Sequence, residues 1–148
     1  MFWKWTSFNR NFKKKTKKKI KVIEISPIFR NHLKNKFGKK IEIYENDAKN
    51  LKGIIKNSSI DKILLINVIY FLNPLDMYLI ELKRILNKDG TIFIAGKFEA
   101  VKTFDDNVFQ NKKITELLKV LKKFFKVSYE FVDLGDLNSR YYAIYLKK

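Results

Sequence analysis

Val22-Ile23-Glu24-Ile25-Ser26-Pro27 is the stretch on which the fold turns. Lys21 to Ser26 is rich in β-branched residues and predicts a strand, with an acid near its end. Ser26 is a favoured helix cap and Pro27 suits a first helical turn. A short basic helix therefore follows at once and stops at Phe37-Gly38, where glycine closes it. Further out, Ile41 to Tyr44 alternates as a second short strand leading to Asp47-Ala48. Asp47 to Lys56 reads as a turn or weak helix broken by Gly53. Asp61 to Asn67 is a nearly continuous apolar run, the pattern of a strand buried on both faces of a parallel sheet.

Beyond that run, Asn73-Pro74 starts a helix. Its apolar positions Met77, Ile80 (with Leu79), Leu82 and Ile85 (with Leu86) recur at helical spacing. Asp89-Gly90 is expected to stop it, and Thr91 to Ala95 is the next buried strand. Residues 98 to 110 form a longer connection carrying Phe98, Phe104 and Phe109. Ile114, Leu117, Leu118, Leu121 and Phe125 mark an amphipathic helix. Two closing strands, about 126–133 and 140–147, joined through Gly135-Asp136-Leu137-Asn138, are expected to pair antiparallel. On the N-terminal side, residues 6 to 19 read as a basic helix with Phe8 and Phe12 on one side. Strands alternating with helices predict a sheet covered on both faces. The expected organisation is a basic segment or first helix over 1–19 and one α/β domain over 20–148.

The chain has 148 residues, 46% of them hydrophobic and 15% aromatic, enough for one domain with its own core. It has no cysteine and a single histidine, His32, on the short basic helix. That excludes disulfides, a thiolate metal site, a zinc site and a Ser-His-Asp arrangement. The apolar run from Ile63 to Leu72 is too short to span a bilayer, and no secretory signal is visible, so a soluble cytoplasmic protein is expected. The formal net charge is +17, with 32 Lys and Arg against 15 Asp and Glu. Nine of the bases precede Glu24, and only four of all the bases are Arg. Dedicated phosphate or base recognition favours Arg, so the charge alone is weak support for a nucleic-acid partner.

The order of these segments resembles the second, third and fourth strands of class I S-adenosylmethionine-dependent methyltransferases, and the resemblance extends over about residues 7 to 148. Arg84-Ile85-Leu86-Asn87-Lys88-Asp89-Gly90 is similar to the family's Arg-Val-Leu-Lys-Pro-Gly-Gly turn before its fifth strand, and the closing antiparallel pair is the family's ending. The resemblance implies a Rossmann-like, doubly wound, mostly parallel sheet with an antiparallel C-terminal strand. No glycine precedes Gly38, so the family's first strand and glycine-rich loop are not found, and the fold is expected to be truncated at its N-terminus. It also implies S-adenosylmethionine as cofactor. Glu24 would hold its ribose hydroxyls, with Ile25 and Ser26 as the usual continuation. Asp47-Ala48 would meet the adenine, and Asn67 the cofactor's amino-acid portion or the acceptor. Tyr70, Phe71 and Phe98 would shape an acceptor pocket.

The implied reaction is in-line displacement of the sulfonium methyl by a nucleophile of an unidentified acceptor. Proximity and orientation, worth about 7–11 kcal/mol in favourable systems, make a conspicuous acid–base group unnecessary, and no catalytic residue is assigned. The family's exocyclic-amine enzymes carry Asn/Asp-Pro-Pro-aromatic after the fourth strand. Asn67-Val68-Ile69-Tyr70 lacks the prolines, which favours a small-molecule acceptor over a nucleic acid. Two other readings stand beside this one. In one, an inactive methyltransferase-like module binds a protein partner or an anionic surface, using Phe2, Trp3, Trp5, Phe8 and Phe12 as an interfacial helix. In the other, the fold and the basic charge together make a nucleic-acid methyltransferase; a dimer or partner chain filling the slot left by the missing strand is a separate expectation.

Overall fold

The computed structural model describes residues 20–148. The helix expected over 6–19 and the aromatic residues before it lie outside the described residues. The chain forms two compact units, Met1–Asp47 and Ala48–Lys148.

In the first unit, β1 (Ile20–Ile23) and β2 (Ile41–Tyr44) pair in parallel, with Ile20 opposite Ile41 and Ile23 opposite Tyr44. The helix between them, α1 (Pro27–Phe37), is built as its ends predict. Ser26 is extended at φ −75°, ψ 121°, and its hydroxyl accepts from the Phe29 amide at 3.5 Å. At the other end, Gly38 takes φ 51°, ψ −129°, and its N–H donates to the Lys34 carbonyl. A side chain at that φ would be strained, which is why glycine ends the helix. Arg30 ties α1 to the end of β2 through an ion pair with Glu45 at 2.8 Å. Lys21 crosses the pair of strands to Glu42 at 2.7 Å.

The second unit holds β3 (Ile60–Ile66), α2 (Leu75–Ile85), β4 (Leu86–Gly96), the single-turn α3 (Phe98–Val101), α4 (Ile114–Phe124), β5 (Lys126–Val132) and β6 (Tyr141–Lys147). The sheet order is β3-β4-β6-β5. β3 and β4 are parallel, and α2 crosses between them. The final strand inserts between β4 and β5, antiparallel to both. The expected antiparallel ending is therefore present. Among the described residues, β1 and β3 each ladder with one neighbour only.

Alternation along the strands sets the core. Ile92 and Ile94 face Leu146 and Ile144 across the ladder, all four fully buried. Leu79 and Leu82 of α2 and Leu117 and Leu121 of α4 are buried at 3% exposure or less. Each such side chain contributes about 1.5–3 kcal/mol on burial. The opposite face is less covered: Phe93 packs on Tyr145 at 5.1 Å between ring centroids, and Leu64 and Ile66 are 39% and 43% exposed.

Two local expectations are corrected. The helix does not run to Asp89-Gly90; it ends at Ile85, and Leu86 is already extended, fully buried and paired with Ile60. The ladder then resumes at Lys62 opposite Thr91, so the Asn87–Gly90 segment forms an irregularity within β4. Burying Leu86 outweighs the helix continuation its neighbours would allow. Nor do Met77 and Ile80 face the core: they are 48% and 58% exposed, while Tyr78, Leu79, Leu82 and Ile85 are buried, together with Glu81.

Candidate functional site

In the first unit, β1 runs on into Glu24, whose amide donates to the Tyr44 carbonyl at 3.1 Å and extends the parallel ladder by one bond. The chain then turns sharply into α1, and the Glu24 carboxylate stabilises the turn. Its Oε1 accepts from the Ser26 amide at 2.7 Å. Arg30 returns from the first turn of α1 and donates to the carbonyls of Glu24 and Ile25, at 3.2 and 2.6 Å. The carboxylate is thus held half-buried at the strand end. Among the described residues, nothing engages its Oε2. A carboxylate held through one oxygen, with the other free among the described residues, is the acceptor that the hydroxyls of a vicinal diol need. Ile25 beside it is 67% exposed and Ser26 is half-buried. Asp47, also half-buried, ends this unit, while Ala48 begins the other.

The remaining expected site residues lie in the second unit. Asn67 directly follows β3, and its amide donates to the Ala95 carbonyl at 2.8 Å, the last bond of the β3–β4 ladder. Its φ is 55°. A left-handed conformation is uncommon outside glycine, costs about 1–2 kcal/mol for most residues, and is best tolerated by Asn and Asp. Such strain gathers at functional turns. Here it turns the chain out of the sheet into a 3₁₀ turn, Ile69–Phe71.

The three aromatic residues of the expected acceptor pocket divide. Tyr70 and Phe98 are each 2% exposed and pack edge-to-face at 5.1 Å. Phe71, by contrast, is 49% exposed. The Tyr70 hydroxyl has no hydrogen-bond partner of good geometry. Burial pushes its pKa well above the usual tyrosine value, the Lys97 backbone amide opposing weakly. Gly96 makes room for it: a Cβ there would lie 2.6 Å from Phe98 and 2.8 Å from the Tyr70 hydroxyl oxygen. This glycine is required by the close approach of two rings.

Sequence reasoning missed a buried fork on α2. Glu81 is 5% exposed. Its Oε1 accepts from the Leu51 amide at 2.6 Å and from Arg84 Nη2 at 2.7 Å, and its Oε2 accepts from Arg84 Nε at 2.8 Å. Arg84 Nη1 continues to the Ile55 carbonyl at 3.1 Å and to Asn57 Oδ1 at 2.5 Å. The arginine's hydrogen bonds hold the Glu81 carboxyl below its ordinary range, against the opposing effect of burial. The arginine of the Arg-Ile-Leu motif therefore braces the loop from Leu51 to Asn57 onto α2. The i, i+3 spacing of Glu81 and Arg84 was the signal in the sequence; the burial was not visible there. His32 is exposed on α1, and among the described residues no cluster of His, Cys, Asp or Glu is arranged to hold a metal ion.

A strand-end carboxylate, a left-handed turn after β3 and an antiparallel last strand inserted into a parallel sheet define a class I methyltransferase fold. The profile of the family described as methyltransferase domain matches residues 6–94, and the chain belongs to that family. Membership indicates S-adenosylmethionine as the cofactor. No curated protein matched the chain.

Solved structures similar to it include a SAM-dependent methyltransferase from Archaeoglobus fulgidus, with TM-score 0.69 and 15% identity over 86% of this chain and 75% of that one. Another is a SAM-dependent methyltransferase from Thermotoga maritima, described as a possible histamine N-methyltransferase, with TM-score 0.66 and 18% identity over 87% and 72%. A third, from Aquifex aeolicus, has TM-score 0.65 and 18% identity over 86% and 68%. At these identities the likeness is one of fold. No described helix is long and apolar enough to cross a membrane.

Proposed function

We propose that this protein is a cytoplasmic methyltransferase of a small-molecule acceptor, and that residues 20–148 act as one methyltransferase domain. In this reading Glu24 holds the ribose of S-adenosylmethionine. When bound, the cofactor supplies an electrophilic methyl group. The chain's part is to bind and orient: Oε2 of Glu24 accepts from a ribose hydroxyl while Oε1 keeps the turn at Ser26 closed. Ile25 offers an apolar surface beside it, Asp47 and Ala48 receive the adenine, and Asn67 orients the amino-acid portion or the acceptor. The observation that supports this reading is the Glu24 carboxylate, fixed through one oxygen and, among the described residues, open at the other.

Calorimetric titration of the whole chain with S-adenosylhomocysteine tests it. Hydrogen bonds to a charged group are worth about 1.5–3 kcal/mol, so Glu24→Ala should weaken binding about 10- to 100-fold. Glu24→Gln keeps an acceptor for Ser26 and separates loss of the turn from loss of the ribose bond. It should weaken binding while leaving the melting temperature unchanged. Equal affinity in all three proteins would remove the role given to Glu24.

One observation favours a second reading, a methyltransferase-like module that binds a partner: among the described residues, the outer edge of β3 carries no strand. A folded chain that binds no S-adenosylhomocysteine, and that gains protection in β3 only on adding a partner, would bring this reading forward.

A further inference from the structure

We propose that the loop from Lys102 to Lys113 forms the acceptor-binding wall, and that it takes a flat aromatic ring on a ledge made by Phe71, Phe104 and Phe109. The inference rests on the methyltransferase reading above and names the acceptor class for it. Phe109 lies half-buried between the other two, 4.9 Å from the Phe71 ring and 5.1 Å from the Phe104 ring. Phe71 and Phe104 stay 49% and 48% exposed, and Val108 beside them is 51% exposed.

The loop is fixed on both sides of the ledge. Asn111 Nδ2 donates to the carbonyls of Ile69 and Leu72 at 2.9 and 2.7 Å, and the Gln110 amide donates to the Tyr70 carbonyl at 3.0 Å. Lys112 pairs with Asp106 at 2.8 Å and also donates to the Phe104 carbonyl. Asp105 Oδ1 accepts from the Asn107 amide at 2.9 Å, and the Asp105 carbonyl accepts from the Phe109 amide at 2.8 Å. The rings are thus presented on a braced frame bolted to the turn that leaves Asn67.

Size decides what fits. A phenylalanine side chain offers about 150–250 Å², so two half-exposed rings present roughly 200 Å². A specific protein interface needs about 800 Å² per partner, and the ledge falls far short of that. It matches one ring system, which would stack offset on one phenylalanine and meet the edge of the next.

The test is a titration of the full-length chain, with ¹³C-labelled phenylalanine rings, using indole as an aromatic probe and cyclohexanol as a non-aromatic one. Indole should give saturable shifts at Phe71, Phe104 and Phe109, weakening about fivefold in Phe104→Leu and again in Phe71→Leu. Both sites are exposed, and leucine keeps the apolar character, so the fold is retained in each variant. Cyclohexanol should give no saturable shift. Equal responses to the two probes, unchanged indole binding in both variants, or no saturation would each overturn the proposal. The titration needs no cofactor and so fails separately from the reading it rests on. Indole binding at the ledge without S-adenosylhomocysteine binding would support the ring site and remove methyl transfer; the reverse would remove the ledge alone.

Discussion

Replacing Glu81 tests whether the buried fork holds the loop from Leu51 to Asn57 onto α2. In the native chain both carboxylate oxygens are occupied, by the amide of Leu51 and by two nitrogens of Arg84. Glu81→Leu leaves that amide without a partner beside a Leu51 side chain 1% exposed, at about 1–3 kcal/mol. It also strips Arg84 of its counter-charge, and breaking a buried pair costs about 3–5 kcal/mol. Arg84 is 19% exposed and keeps Ile55 and Asn57, which puts the total near the lower end of the sum, about 4 kcal/mol. Glu81→Gln retains an acceptor for Leu51 and one bond to Arg84, and should cost about 1–2 kcal/mol.

The folded-state pKa of Glu81 is depressed. Its charge-dependent stabilisation is therefore full above the unfolded value and is lost as pH falls through the folded value. Urea unfolding of native and Glu81→Gln chains should show the gap at pH 7, narrowing steadily below about pH 4.5, the ordinary glutamate range. Hydrogen exchange in Glu81→Leu should rise first from Leu51 to Asn57. A Glu81→Gln variant within 0.5 kcal/mol of native at pH 7, or a gap independent of pH, would refute the reasoning; the 0.5 kcal/mol threshold is roughly the scatter of neutral surface substitutions.

Substitutions at three further positions probe the carboxyl end of the sheet. Gly96→Ala forces a methyl against two buried rings and should cost about 1–3 kcal/mol by chemical unfolding. Tyr70→Phe should be neutral or stabilising alone, since its hydroxyl is unpaired, and should recover part of that loss when combined with it. Asn67→Gly should leave stability within about 0.5 kcal/mol of native because glycine adopts the same φ freely, whereas Asn67→Val should cost about 1–2 kcal/mol. If the Asn67 amide contacts the cofactor, S-adenosylhomocysteine affinity falls in Asn67→Gly although stability does not.

Elements governed by neighbouring residues were legible in the sequence. Ser26-Pro27 and Gly38 bound α1 because capping depends on a few adjacent residues, and the expected second strand, Ile41 to Tyr44, has the observed limits. The apolar runs around β3 and β4 fixed the alternation of strand and helix, since two-residue and 3.6-residue periods are local properties. The resemblance in strand order named the family before any coordinates.

What the chain could not show was set by residues far apart in it. Met77 and Ile80 are as apolar as Leu79 and Leu82, and only the packing of α2 decided which pair faces the core. Leu86 left the helix because its strand partner is Ile60. Glu81 is buried because its partners include an amide thirty residues earlier, and Tyr70 and Phe98 are buried against each other where Gly96 lets them meet. Local propensity is written along the chain, whereas burial and partnership are properties of surfaces that exist only after distant segments have packed.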